Sequence, residues 1–291
     1  MTKVGGTQLA GTALFLKRED LQKTGSFKLR GASNKVLSLS PELASSGVVT
    51  SSTGNHGLGV AAAAQHRRID AEVFVSKQVS AKKLAMIEGY GARIRHAGRN
   101  PLEAELAART AANESGRTYI SPYNDAEVIA GQGTIAIELV EQVSRIDRVY
   151  VAVGGGGLIG GIGAYLKHAS PATEVVGCWP ENSRVMYECL RAGRIMEFPE
   201  SPTVSESTAG GVEPGSITFR LCQMVIDRTM LVSEERILDA MRWAHAQGWS
   251  MEGAAGVAIA ACFQDASRNP CEAAVVIACG ANTSPDVLER L

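Results

Sequence analysis

Residues 149–161 read Val149-Tyr150-Val151-Ala152-Val153-Gly154-Gly155-Gly156-Gly157-Leu158-Ile159-Gly160-Gly161. A β-branched run that ends in four glycines and resumes as a small, apolar stretch predicts a buried strand, a tight loop and a helix. Such a loop presents several backbone N–H groups to one point, with no side chain to hold a phosphate away. The acidic partner expected about twenty residues after a dinucleotide-binding glycine turn is missing, which favours a lone phosphate over a dinucleotide. Close helix-to-strand packing is the alternative use of the same glycines. The run from Val149 to Leu166 is long enough to suggest a membrane span, but seven of its residues are glycine and no flanking pattern supports insertion.

Outward from this string, short β-branched runs recur at Val48–Thr50, Ala71–Val75, Arg93–Arg95, Tyr119–Ile120, Arg148–Val153, Glu174–Gly177 and Ala274–Ala278. Helical patterns lie between them, at 26–38, 57–66, 80–89, 102–114, 128–143, 233–246 and 254–265. Alternation of this kind predicts an α/β fold with parallel sheets. Residues 46–120 carry their own alternation, so they are expected to form a small domain inserted in a larger one made of 1–45 plus 121–291. In the 233–246 helix, Ser233 precedes an acidic first turn and is the expected N-cap.

Composition narrows the class. The 31 glycines in 291 residues exceed the roughly twenty that about 7% usage would give, without proline enrichment or a period, which excludes collagen-like and low-complexity chains. Opposing charges nearly cancel, 29 basic against 30 acidic residues for a net charge of -1, so there is no electrostatic case for nucleic-acid binding. Six cysteines form no C-x-x-C pair and five histidines no H-E-x-x-H, which argues against a zinc site and for reduced thiols in a cytoplasm. The N-terminus lacks the apolar stretch of a signal peptide.

Two further segments carry candidate chemistry. In Lys23-Thr24-Gly25-Ser26-Phe27-Lys28-Leu29-Arg30-Gly31-Ala32, a strand-like LFLK leads through a turn into a helix. Ser26 reads as its N-cap, which puts Lys28 in the first turn, where the helix dipole disfavours a cation but tolerates a neutral amine. In Thr50-Ser51-Ser52-Thr53-Gly54-Asn55-His56-Gly57, hydroxyls and amide donors cluster at the start of an Ala-rich helix, an arrangement suited to a carboxylate. Taken singly, each is also an ordinary lysine or an ordinary capping loop.

Together, KTGSFKLRGA, STGNHG, VIAGQGTIAIE (128–138), VGGGG, MEGAAGVA (251–258) and ACGAN (278–282) occur in the order of, and over nearly the whole chain resemble, the fold type II pyridoxal-phosphate enzymes. The likeness is to the threonine/serine dehydratase and serine racemase group. It implies two lobes, each with a mostly parallel sheet flanked by helices, pyridoxal 5'-phosphate as cofactor, an amino-acid substrate, no nucleic-acid or membrane partner, and a homodimer. Lys28 would carry the cofactor and serve as the base, and Phe27 would lie against its ring. Asn55 would bond its phenolic oxygen, Gly154, Gly155, Gly156, Gly157 and Leu158 its phosphate, and Gly211 would sit beside it. Ser52, Thr53, Gly54, Asn55, His56 and Tyr123 would meet the substrate. The implied reaction removes a β-hydroxyl, giving a 2-oxo acid and ammonia.

Four departures sharpen this. Thr53 stands where serine racemases have an acid/base serine; its β-branched rotamer is stiffer, so one-sided elimination is favoured over racemisation. Tyr123 in Ser121-Pro122-Tyr123-Asn124-Asp125 resembles the dehydratase pattern. Trp179 and Val185 stand where metal-dependent members place acidic ligands, so no Mg²⁺ or Ca²⁺ is expected. Cys279 replaces the usual serine beside the pyridine nitrogen, and is also readable as a buried structural thiol. The segment before Lys28 is shorter than usual, with Thr7-Gln8-Leu9 at best a remnant, and no regulatory domain is expected after Leu291. Alternatives are the hydroxyectoine-utilisation dehydratase subgroup, a serine racemase, and a cofactor-binding pseudoenzyme.

Overall fold

The computed structural model describes residues 2–4, 11–77 and 81–291; Thr7-Gln8-Leu9 and Ser80 lie outside them. Its strands are β1 (Thr2–Val4), β2 (Ala13–Arg18), β3 (Val48–Ser51), β4 (Ala71–Val75), β5 (Arg93–His96), β6 (Thr118–Tyr119), β7 (Arg148–Ala152), β8 (Glu174–Pro180), β9 (Arg228–Val232) and β10 (Ala273–Ala278). The helices are α1 (Lys28–Ser38), α2 (Pro41–Ser46), α3 (Asn55–Arg67), α4 (Ala81–Glu88), α5 (Pro101–Ser115), α6 (Ala126–Gln142), α7 (Gly157–Ala169), α8 (Val185–Ala192), α9 (Ile217–Val225), α10 (Glu234–Ala246), α11 (Gly253–Ala266) and α12 (Pro285–Leu288).

Two sheets result. One has the order β1-β2-β10-β7-β8-β9 and is parallel except for β1; the other, β5-β4-β3-β6, is parallel throughout. Strands β7, β8 and β10 are almost wholly buried apolar runs, as a sheet covered on both faces requires. The large core is built on Leu14, Leu16, Val149–Val153, Ile159, Ile162, Val175, Val176 and residues 254–262. The core of the second sheet draws on Val48, Val60, Val73 and Ile87, and also on Ala32, Val36, Leu39 and Ala44. Helix α1, which precedes the boundary expected at residue 45, and α2, which crosses it, therefore share the small lobe's core. Helix α1 packs on both α3 and α6 and ties the two lobes together.

Several local expectations meet the structure directly. Ser233 caps α10 by accepting from the Arg236 N–H, and Asp125 caps α6 by accepting from the N–H groups of Glu127 and Val128. Ser26 does not cap α1. Phe27 occupies the cap position with helical dihedrals, and Ser26 Oγ makes no hydrogen bond. Ser26 instead pairs antiparallel with Gly280, and the Phe27 N–H donates to the Cys279 carbonyl at 3.0 Å. Tertiary pairing with the end of β10 overrides the local capping signal. Helices α2, α8, α9 and α12 and strands β1 and β9 have no counterpart among the sequence patterns.

Candidate active site

The site lies where strands of both sheets end and helices begin, the position at which parallel α/β sheets expose backbone donors. At the end of β7, Gly156 adopts φ +84°, a left-handed conformation suited to glycine. The N–H groups of Gly154, Gly155, Gly156 and Gly157 donate to no protein acceptor among the described residues. Leu158 follows, buried in the first turn of α7. The loop is also tightly enclosed: a Cβ on Gly155 would stand 2.5 Å from the Tyr123 ring, and one on Gly154 would stand 3.0 Å from the Thr208 backbone.

Lys28 faces this loop through Pro122 and Tyr123. Its Nζ donates to the Pro122 carbonyl at 2.7 Å and lies 5.2 Å from the centre of the Phe27 ring. Burial lowers its pKa from 10.5 to about 8, although the nearby Glu252 and Cys279 pull the other way. At pH 7 about a tenth of such a lysine is free amine, the form that attacks an aldehyde, against well under one part in a thousand for an ordinary lysine.

Asn55 opens α3 and is buried. Its Nδ2 donates to both oxygens of Glu252, at 3.2 and 2.9 Å, and its Oδ1 accepts from Asn282 Nδ2 at 2.6 Å. Glu252 also accepts from Ser207 Oγ at 3.1 Å, and the Cys279 Sγ lies 3.9 Å away. Burial raises the Glu252 pKa, opposed by the bonds from Asn55 and Ser207 and by the charge of Lys28; burial pushes the Cys279 thiol well up, so it stays protonated. A Cβ on Gly280 would strike the Glu252 carboxylate, which explains a glycine after Cys279.

These contacts close into a ring: Lys28 to Pro122, Tyr123 to Gly155, Gly154 to Thr208, Ser207 to Glu252, then Asn55 and Cys279, and back through Phe27. Ser52, Thr53 and Gly54 sit half-buried just before α3, with the Gly54 N–H donating to Ser52 Oγ at 3.2 Å. His56, expected among the substrate contacts, is buried. Its ring is buried against the Ile120 carbonyl at 3.0 Å, and burial, with the Lys28 charge, lowers its pKa to about 3. The ring is a neutral support for the Ile120–Pro122 segment, and only the backbone N–H remains at the helix start. Gly211 is exposed, with nothing within 4 Å of an added Cβ. Trp179 and Val185 are buried in the large core and present no oxygen.

Sequence reasoning passed over Glu252, Ser207, Asn282 and the Pro122 carbonyl. Glu252 and Asn282 stood inside quoted motifs. The available signal was a carboxylate at the N-cap position of α11, where it makes no capping bond, so its partners had to lie elsewhere.

The donor set fits pyridoxal phosphate. An enclosed lysine with a lowered pKa suits the aldehyde, and unpaired loop N–H groups at the start of α7 suit the phosphate. Residues 3–280 match the family model described as pyridoxal-phosphate dependent enzyme. The chain is 37% identical to the L-threonine ammonia-lyase of Thermotoga maritima, over 98% of this chain and 71% of that protein. It is 39% identical to a catabolic L-threonine dehydratase of Staphylococcus aureus, over 79% of this chain and 66% of that one. The latter alignment thus spans just under two thirds of the relative. The processed threonine deaminase isoform 2 of Solanum lycopersicum superposes with a TM-score of 0.94 at 33% identity, over 99% of this chain and 86% of that one. A match of this extent, on a fold of two parallel sheets around an enclosed lysine and a glycine loop, means that the chain belongs to the fold type II pyridoxal-phosphate-dependent enzymes.

Proposed function

We propose that the protein is an ammonia-lyase that removes the β-hydroxyl of an L-serine- or L-threonine-type amino acid, giving a 2-oxo acid and ammonia. The supporting observation is the closed ring of contacts that sets the Lys28 amine and the glycine loop on either side of Pro122 and Tyr123. Pyridoxal phosphate, when bound, supplies an aldehyde for the amine and a ring that accepts electrons. Lys28 holds the cofactor, and its amine, once free, takes the Cα proton of the substrate. The N–H groups of Gly154–Gly157 receive the phosphate. The start of α3, from Ser52 to His56, receives the substrate carboxylate. Asn55 and Cys279, both held by Glu252, border the cofactor ring.

Thr53 supports elimination over racemisation because its branched side chain restricts the rotamers open to a second acid/base group. The names of the relatives support threonine as a substrate. We propose in addition a homodimer, a lobe of residues 46–120 inserted in the remainder, and a cytoplasmic location. All six cysteines are free thiols, and no helix among the described residues is long and apolar enough to cross a membrane.

The test is release of 2-oxo acid from a panel of L- and D-serine, L-threonine, 3-hydroxyaspartate and hydroxyectoine-derived acids. Release from L-threonine or L-serine that disappears in Lys28→Ala is the expected result. D-serine formed faster than pyruvate from L-serine overturns the lyase in favour of a racemase, and activity confined to the hydroxyectoine-derived acid moves the substrate to that subgroup. Bound cofactor with no turnover of any of them marks a pseudoenzyme.

A further inference from the structure

The segment between Thr208 and α9 carries one residue with no part in the ring above. Glu213 lies on a loop whose neighbours Gly210, Gly211, Pro214 and Gly215 are exposed. Gly210 and Gly215 have φ of +120° and +75°, and nothing lies within 4 Å of an added Cβ at either. Glu213 itself is held three ways. Its N–H donates to Tyr123 Oη at 2.9 Å, its Oε2 accepts from Asn124 Nδ2 at 2.8 Å, and its Oε1 pairs with Arg109 Nη2 at 2.9 Å.

Arg109 belongs to the other lobe. It stands on α5, which packs against β3 and β4, with its guanidinium 4.4 Å over the Tyr119 ring and also paired with Glu105 one turn earlier. The guanidinium is thus stacked and aimed, so little freedom is lost when it meets Glu213. Tyr123 connects the pair to the site, because its ring closes over Gly155 and its Cβ and backbone lie against Gly157.

We propose that Arg109 and Glu213 form a latch between the lobes, and that Glu213 is a positioning residue that keeps Tyr123 against the phosphate loop. The latch sets how well a bound amino acid is retained and takes no part in proton transfer. Its kinetic consequence rests on the lyase reading; its structural consequence does not.

The test uses the cofactor-loaded enzyme and the variants Glu213→Gln, Arg109→Gln and the double variant. Glutamine at 213 keeps an acceptor for Asn124 and the backbone bond to Tyr123, so it removes only the charge pairing. A half-exposed ion pair predicts a KM raised about three- to fivefold in each single variant, with kcat within about twofold. The double variant should be no worse than either single one, because both remove the same interaction. Amide hydrogen exchange over 209–216 and 119–124, read without substrate, should speed up in all three. An unchanged KM and exchange in either single variant, additive effects in the double, or a lowered melting temperature with unchanged KM overturns the latch. If no hydroxy amino acid is turned over, the lyase reading fails, and the exchange measurement alone decides: faster exchange in all three variants supports the latch, and unchanged exchange overturns it.

Discussion

The floor and the rim of the cleft are built on opposite terms. On the floor Asn55, Glu252 and Cys279 are 8%, 4% and 2% exposed, and Asn55 and Cys279 find their partner in Glu252 because burial keeps them from solvent. At the rim the Arg109 and Glu213 side chains keep 33% and 29% of their exposure, so each bond there competes with solvent. An unpaired group is costly on the floor and nearly free at the rim. The floor can therefore fix pKa values and cofactor geometry, whereas the rim adjusts position by small amounts. Tyr123 is where the two meet: its ring lines the glycine loop and its hydroxyl is held by Glu213.

The largest expected effect joins both regions. Gly155 has no left-handed φ, so the objection to a side chain there is space alone. In Gly155→Val the new atoms meet the Tyr123 ring within 2.5 Å of the Cβ position, and the ring cannot swing aside without releasing Glu213. Cofactor affinity should fall about a hundredfold, in line with overpacking costs of about 1–3 kcal/mol, measured by titrating apoprotein with pyridoxal phosphate. A second change, Tyr123→Ala, should restore most of it. Failure to restore would mean that the loop's own freedom, and not the ring, is what the glycine serves.

The same contrast explains what the sequence disclosed. Lys28, Asn55 and Gly154–Gly157 were legible because each lies in a contiguous string whose local chemistry is unusual: an amine in a first helical turn, an amide at a helix start, four glycines after a strand. Glu252 was not, because its partners are 197, 45 and 27 positions away in sequence, and no local pattern announces such pairings. The Pro122 carbonyl escaped because backbone atoms have no signature in the residue code. Arg109 and Glu213 stand in no motif, and their pairing joins positions far apart in the sequence. Among elements, long periodic helices such as α6 and α10 were found. The short α8, with its flanking turns, and β9, half-exposed at the sheet edge, offered too few apolar repeats to register.

A middle-sized effect probes the floor by itself. Glu252→Ala leaves Asn55 Nδ2 and Ser207 Oγ without their acceptor and should lower unfolding stability by about 2 kcal/mol, seen in chemical denaturation. Glu252→Gln keeps an acceptor and drops the charge. Burial raises the Glu252 pKa above 4.5, so the folded state holds its proton more tightly than the unfolded chain, and stability is lost as pH rises through that window. The Gln variant escapes this loss and should match or exceed the parent at neutral pH. A Gln variant as unstable as Ala would show that the carboxylate's charge, and not its acceptor oxygens, holds the floor together.

The smallest effect separates floor from rim most cleanly. In the proposed role of Lys28, attack on the cofactor aldehyde requires the neutral amine, whose pKa is lowered from 10.5 to about 8 by burial. The rate at which apoprotein takes up pyridoxal phosphate should rise with pH, with its midpoint at about 8, and level off above about 9. An amine with that pKa gains roughly tenfold in its neutral fraction between pH 7 and 9, where an ordinary lysine gains roughly a hundredfold without levelling. Stopped-flow absorbance across that range measures it. Glu252 favours the charged amine, so Glu252→Gln should move the midpoint downward. Glu213→Gln, changing a half-exposed group at the rim, should leave the midpoint in place while it raises KM. A midpoint that shifts with Glu213 and not with Glu252 would reverse the assignment of chemistry to the floor and position to the rim.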